Sequence, residues 1–89
     1  MPRLHASVYG LVQGVSFRGF VVQTATALGV KGTVKNCNDG SVEVFAEGSR
    51  NNLEMLLSAL KKGPRSASVN HVDADWSTET GEFRSFERV

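Results

Sequence analysis

The chain has 89 residues, of which 40% are hydrophobic and 21% are charged, and its formal net charge at pH 7 is +1. This length and composition are typical of one globular domain spanning residues 1–89, and they argue against a disordered tail. A charge so close to balance argues against nucleic-acid binding through a basic stripe. No apolar run is long enough to span a membrane.

The amino terminus and the cysteine count predict a cytoplasmic location. The first ten residues, M-P-R-L-H-A-S-V-Y-G, lack the apolar segment of a secretory signal. The single cysteine, Cys37, has no partner for an internal disulfide or a thiolate metal cage. We therefore expect a cytoplasmic protein, acting as a monomer, with no membrane or nucleic-acid partner.

Hydrophobic periodicity predicts the first half of the fold. Apolar residues alternate with polar ones over 4–9, which predicts a half-buried strand. Apolar residues then recur at helical spacing over 17–28, and Gly29 is placed to end that helix. A second strand is predicted over about 30–37 and a third over 42–47, joined by the turn sequence Asn-Asp-Gly.

The second half has its own boundary signals. Ser49 is a candidate N-cap for a helix whose apolar stripe runs over 53–60. Gly63 and the proline after it predict the end of this helix. Alternation over 71–76 predicts a fourth strand, and 82–89 is expected to form a short extra strand or a packed tail.

The predicted order is β-α-β-β-α-β with an appended end. This order is typical of the α+β ferredoxin-like fold, a sandwich in which one antiparallel, mixed-edge sheet carries two helices on one face. Many unrelated proteins share this fold, so it predicts no activity by itself.

The loop between the first strand and the first helix points to chemistry. It reads G-L-V-Q-G-V-S-F-R over residues 10–18. Gly10 and Gly14 let the backbone turn sharply, and successive amides in such a turn can form an anion-binding nest. The following helix N-terminus and Arg18 favour the same ligand, a compact dianion such as a phosphoryl group.

An ordinary structural explanation of this loop also stands. Glycines between a strand and a helix often serve geometry alone, and an arginine early in a helix is usually exposed to solvent. The loop is neither a Walker loop nor a G-x-G-x-x-G motif. The residues alone therefore leave both explanations open.

The same residues resemble a known family. Residues 10–18 match the acylphosphatase signature G-x-V-Q-G-V-x-[FY]-R at every invariant position. Residues 32–48, G-T-V-K-N-C-N-D-G-S-V-E-V-F-A-E-G, and the G-E-F at 81–83 are similar to two further family segments. One departure is Thr33, where the family usually has a bulky aromatic residue. The resemblance covers essentially the whole chain and implies a ferredoxin-like enzyme that hydrolyses acyl phosphates to carboxylate and inorganic phosphate.

The resemblance also implies roles for particular residues. Arg18 is expected to bind the phosphoryl group, and Asn36 is expected to position the attacking water. The phosphoryl group is further expected to bind the backbone amides of the loop, namely those of Val12, Gln13, Gly14, Val15, Ser16 and Phe17. The leaving carboxylate has a conjugate acid with a pKa of roughly 4 to 5, so it needs no general acid.

No metal or cofactor is expected. His5 and His71 have no partners at ligand spacing, and their ordinary role is that of exposed strand residues. Cys37 has no adjacent base to lower the pKa of its thiol, so we interpret it as a small strand or turn residue.

Two other hypotheses remain open at this point. One is a non-catalytic, phosphate-sensing module related to the enzymes by descent. The other is an RNA-recognition module of the same topology, with Tyr9 and Phe45 as stacking aromatics. The sequence K/R-G-F/Y-G/A-F-V-x-F/Y that marks such modules is absent.

Overall fold

A computed structural model describes all of residues 1–89 and confirms the predicted α+β ferredoxin-like fold. The elements, in chain order, are β1 (Pro2–Leu11), α1 (Phe17–Ala27), β2 (Lys31–Asn36), β3 (Val42–Glu47), α2 (Arg50–Lys62), β4 (Ser68–Thr78) and β5 (Phe86–Arg88). The strands β1 and β4 are longer than predicted because their pairing continues past the ends of the clear alternation, from Pro2 opposite Thr78 to Leu11 opposite Ser68.

The five strands form one sheet in the order β4-β1-β3-β2-β5. All neighbouring pairs are antiparallel except β2 and β5, which run parallel. The appended end of the chain is thus a strand, and its pairing places Arg88 beside Val34. This parallel edge brings the end of the chain to the same region as the β1–α1 loop.

Both helices pack on one face of the sheet. The core between the layers includes Phe17 and Val21 of α1 together with the α2 stripe Leu53, Leu56 and Leu60, all at most 1% exposed. Each such side chain contributes about 1.5 to 3 kcal/mol when fully buried. This packing holds the start of α1 in one position relative to the sheet.

The two helices have different N-termini. The Ser49 hydroxyl accepts a hydrogen bond from the amide of Asn52 at 3.2 Å, so α2 has the predicted cap. α1 begins after Ser16, which makes no capping hydrogen bond with its side chain. The first turn of α1 therefore keeps unpaired amides. Neither helix is both long and apolar enough to cross a bilayer.

Candidate active site

A β-bulge at Gly10 turns β1 into the loop that precedes α1. The pairing of β1 with β4 shifts register between Tyr9 and Gly10. Gly10 has φ of 132°, and a Cβ there would lie 2.2 Å from the carbonyl oxygen of Ser68. Only glycine permits this close approach of two backbones, so the first glycine of the motif shapes the loop.

The loop backbone alternates in handedness. Gly14 and Ser16 have φ of 73° and 60°, whereas Val15 between them does not have a positive φ. Alternation of this kind turns successive amide hydrogens toward one side, as in anion nests. A left-handed serine costs on the order of 1 kcal/mol, and such strain is typical of functional loops.

The amides of this loop are free to donate. No backbone amide from residue 12 to residue 19 donates to a backbone carbonyl, and the first bond of the helix runs from the amide of Phe20 to the carbonyl of Ser16. The positive end of the α1 dipole lies at the same place. The loop and helix start therefore present a set of donors with no protein acceptor on the backbone.

Arg18 lies in the first turn of α1 beside these amides. Its Nη1 donates to a main-chain oxygen of Val89, the last residue of the sequence, at 3.2 Å. No Asp or Glu side chain forms an ion pair with Arg18.

Asn36 is the last residue of β2 and carries an unusual atom. Its Oδ1 is buried and has no hydrogen-bond partner, and it is the one such side-chain atom in the protein. Leaving a buried acceptor unpaired costs about 1 to 3 kcal/mol. An orphaned acceptor of this kind indicates that a ligand or water completes the site.

One cleft brings these groups together. It has a volume of about 260 Å³ and is lined by Val12, Gly14, Ser16, Phe17, Arg18, Gly19, Asn36 and Arg88. Arg18 and Asn36, the two predicted side chains, thus line the same cleft. The lining contains no carboxylate and no histidine. Of the predicted loop residues, Gln13 and Val15 do not line it.

The side chain of Gln13 has a structural role that the sequence did not predict. Its side-chain Nε2 donates to the carbonyl oxygens of Cys37 and Ser41, each at 2.8 Å. The side chain thus connects the β1–α1 loop to the turn that follows Asn36. From the other side, the Ser66 hydroxyl donates to the carbonyl oxygen of Val15 at 2.8 Å. The loop is therefore held by side chains on two flanks.

The sequence pattern missed Gly19 and Arg88. Gly19 follows the motif directly, so proximity could have suggested it. Arg88 lies far along the chain, and a three-residue strand has too little periodicity to predict its pairing partner.

The other residues considered from the sequence lie away from the cleft. His5 contacts Glu43 at 2.8 Å, and His71 contacts Asp73 at 2.6 Å. Thr33 pairs with Phe45 across the strands and does not line the cleft, so this departure from the family pattern leaves the lining residues unchanged. No three His, Cys, Asp or Glu side chains converge as a metal site would require.

The aromatic residues of the RNA hypothesis lie on the helix-free face of the sheet. The Phe45 ring stacks with His5 at 4.5 Å between centroids, and the Tyr9 ring stacks with His71 at 5.9 Å. Both rings are thus partly covered by other side chains.

Comparison with known proteins agrees with this geometry. The acylphosphatase family model matches residues 4–88. An acylphosphatase of Thermus thermophilus is 49% identical over 81 residues, which are 91% of this chain and 92% of that protein. An acylphosphatase of Pasteurella multocida is 52% identical over 79 residues, covering 89% and 88% of the two chains.

A solved structure agrees equally well. The crystal structure of acylphosphatase from Bacillus subtilis superimposes with a TM-score of 0.96 at 36% identity, covering 100% of this chain and 99% of that chain. Both the sequence and the backbone of this chain thus match those of acylphosphatases over nearly the whole length. The chain belongs to the acylphosphatase family, and by this homology it is an acylphosphatase.

Proposed function

We propose that the protein hydrolyses acyl phosphates by in-line attack of a water on phosphorus. In this mechanism Arg18 and the backbone amides of residues 12–18 hold the phosphoryl group, and Asn36 holds the water. The observation that carries the proposal is the cleft itself, which combines unpaired backbone amides, an arginine without an Asp or Glu partner and an orphaned acceptor.

The donors suit a phosphoryl dianion. Backbone amides at a nest and a helix N-terminus bind anionic oxygens without a change in protonation. A guanidinium can donate two parallel hydrogen bonds to two phosphate oxygens. Because these groups are oriented before the substrate arrives, they stabilise charge in the transition state without reorganisation.

Asn36 suits a water that attacks beside a dianion. Its Oδ1 can accept a hydrogen bond from the water and so direct a lone pair toward phosphorus. The side chain is neutral, whereas an aspartate at this position would repel the phosphoryl oxygens. Phosphoryl transfer has a loose transition state, so positioning of the water supplies much of the catalysis.

The chemistry of the leaving group is consistent with a cleft that has no general-acid side chain. A carboxylate departs as a stable anion at neutral pH, since its conjugate acid has a pKa of roughly 4 to 5. The cleft lining accordingly needs neither a protonated carboxyl nor a histidine. The charge on the phosphoryl group can be borne by Arg18 and the amides, so the mechanism we propose needs no metal ion.

We further propose that residues 1–89 act as a single domain and as a monomer, because one chain supplies every residue that lines the cleft. No observation favours RNA binding. The carboxylates of Glu43 and Asp73 lie beside the histidines that cover the two aromatic rings, and they would repel a phosphate backbone.

The first experiment measures hydrolysis of an aryl acyl phosphate, such as benzoyl phosphate, with EDTA present. We expect full turnover in the chelator. Activity that disappears with EDTA and returns with magnesium would contradict the metal-free mechanism. Phosphate binding without any turnover would instead support the phosphate-sensing hypothesis.

The second experiment separates binding from positioning. We expect Arg18→Ala to weaken competitive inhibition by inorganic phosphate at least tenfold, because an anchoring cation is lost. We expect Asn36→Ala to leave that inhibition within about threefold and to lower kcat by about 10²–10³, as for other positioned amides. Unchanged phosphate inhibition in Arg18→Ala, or normal kcat in Asn36→Ala, would remove that residue from its role.

A further inference from the structure

We infer that Arg88 is a second phosphate-binding arginine of the cleft, acting beside Arg18 on the phosphoryl group of the substrate and on product phosphate. This inference rests on the function proposed above. It assigns a role to a residue outside the sequence motifs, contributed by the edge strand β5.

The position of Arg88 follows from the parallel pairing of β5 with β2. Arg88 lies beside Val34, two residues before Asn36. Its Nη1 is 3.7 Å from the place where a Cβ on Gly19 would be. The guanidinium thus lies at the first turn of α1, in the same cleft as Arg18.

Glycine at position 19 leaves room for this side chain. The backbone of Gly19 has no positive φ, so backbone strain does not explain the glycine. A Cβ at position 19 would be in ordinary van der Waals contact with the guanidinium of Arg88. Arg88 and the first turn of α1 are therefore close neighbours.

The charge of Arg88 has no partner within the protein. No ion pair involves Arg18 or Arg88, and no side-chain hydrogen bond engages the Arg88 guanidinium. Two guanidinium groups on one small cleft repel each other, and no Asp or Glu side chain lines the cleft to offset this. A dianion bound between them removes the repulsion and gains charge-assisted hydrogen bonds.

The backbone on either side of Arg88 is held in place. The Phe86 side chain is buried at 7% exposure, and the amide of Val89 donates to the carbonyl of Val34 at 2.9 Å. Arg18 itself donates to a main-chain oxygen of Val89. The backbone of the edge strand next to Arg88 is thus fixed and connected to the motif arginine.

An exposed arginine near a strand edge can also be a solvated surface residue without a ligand. Arg84 provides the matched control, because it is an exposed arginine in the same segment that does not line the cleft. A general loss of positive charge would affect both variants equally, whereas direct contact with phosphate would affect Arg88 alone.

The test compares Arg88→Gln, Arg88→Lys and Arg84→Gln by competitive inhibition with inorganic phosphate in the benzoyl phosphate assay. For Arg88→Gln we expect the inhibition constant and KM to rise about tenfold, with kcat lowered less. Arg88→Lys should recover part of the affinity, because lysine keeps the charge but not the planar fork. Arg84→Gln should stay within twofold of the unmodified protein.

Salt provides a further readout. Raising ionic strength should weaken phosphate inhibition less steeply in Arg88→Gln than in the unmodified protein, because one cation has been removed. Phosphate inhibition within twofold of normal in Arg88→Gln would overturn the inference. A rise in KM without a rise in the phosphate constant would also overturn it, since Arg88 would then contact the acyl group. Either result in an active enzyme leaves the proposed function standing, whereas an inactive unmodified protein would refute that function directly.

Discussion

At the residue scale, two side-chain amides serve the cleft in different ways. Asn36 leaves its acceptor unpaired and buried, at a cost in stability. Gln13 uses both hydrogens of its amide, donating to the carbonyls of Cys37 and Ser41. The acceptor of Asn36 is thus free, while the side chain of Gln13 holds the β1–α1 loop against the turn that follows Asn36.

We predict that Gln13→Ala lowers kcat about tenfold while phosphate inhibition changes less than about threefold. The turn after Asn36 would lose its connection to the loop, although the carbonyls of Cys37 and Ser41 keep their backbone hydrogen bonds, whereas the loop amides would still bind phosphate. The loss of two hydrogen bonds should also lower the free energy of unfolding by about 1 to 3 kcal/mol. Kinetic assays well below the melting temperature would separate the two effects.

The control for this prediction is Gln23→Ala, which alters an exposed glutamine on α1. It should change neither kcat nor phosphate inhibition. Equal losses of kcat and phosphate affinity in Gln13→Ala would contradict a positioning role and indicate a collapsed loop.

At the element scale, the two helices differ at their N-termini. α2 is capped by the Ser49 hydroxyl, whereas Ser16, the N-cap residue of α1, makes no side-chain capping bond. A side-chain cap on α1 would occupy the backbone amides of its first turn, which are the donors that the phosphoryl group is proposed to use.

We predict that Ser49→Ala lowers the free energy of unfolding by about 1 kcal/mol, the usual value of an N-cap. KM and kcat should stay unchanged, because α2 contributes no residue to the cleft. Urea denaturation followed by circular dichroism gives the stability, and the acyl phosphate assay gives the kinetics. A change in KM would show that α2 influences the site.

We predict that Gly10→Ala is far more damaging than Gly29→Ala. Both positions have a positive φ, but a Cβ at Gly10 meets the Ser68 carbonyl at 2.2 Å, whereas at Gly29 it meets nothing within 4 Å. The expected losses are about 1 kcal/mol at Gly29, from backbone strain alone, and more than about 3 kcal/mol at Gly10. Equal losses of unfolding free energy for the two variants, measured by urea denaturation, would show that the backbone at Gly10 can move to accommodate a Cβ.

At the whole-molecule scale, a buried carboxylate connects three distant parts of the chain. Glu47, 6% exposed, accepts hydrogen bonds from Arg3 and from the amides of Thr80 and Gly81 at 2.8 to 3.0 Å. Burial alone would raise the pKa of Glu47. The hydrogen bonds from Thr80, Gly81 and Arg3 outweigh it and lower that pKa from 4.5 to about 2.

This shift predicts how stability depends on pH. Because the folded-state pKa lies below the unfolded one, Glu47 stabilises the fold above about pH 5, and this stabilisation is lost as the pH falls toward 2. The loss is on the order of 3 kcal/mol, from about 1.4 kcal/mol per pKa unit. Urea denaturation of Glu47→Gln and the unmodified protein should therefore show a stability difference that shrinks between pH 5 and pH 2.

The control is Glu54→Gln, which removes an exposed carboxylate paired with Arg50 on α2. Its effect on unfolding should be small at every pH, as for most surface ion pairs. A Glu47→Gln difference that stays constant from pH 5 to pH 2 would contradict the role assigned to the carboxylate.

The sequence by itself determined the local features. Alternation, helical spacing and turn residues are properties of neighbours along the chain, so they predicted six elements, and the motif of residues 10–18 indicated the family by resemblance. The motifs also named Arg18 and Asn36, which the structure places on one cleft. The last strand was left open between a strand and a tail, because eight residues with little alternation do not specify a partner.

Only the tertiary structure decided what depends on contacts between distant residues. The parallel pairing of β5 with β2 brings Arg88 to the cleft, and no local pattern encodes it. The side chain of Gln13 joins the loop to the turn after Asn36, although the sequence pointed only to its backbone amide. Whether a polar atom is paired or orphaned depends on its surroundings in three dimensions, so the free acceptor of Asn36 appears only in the folded chain.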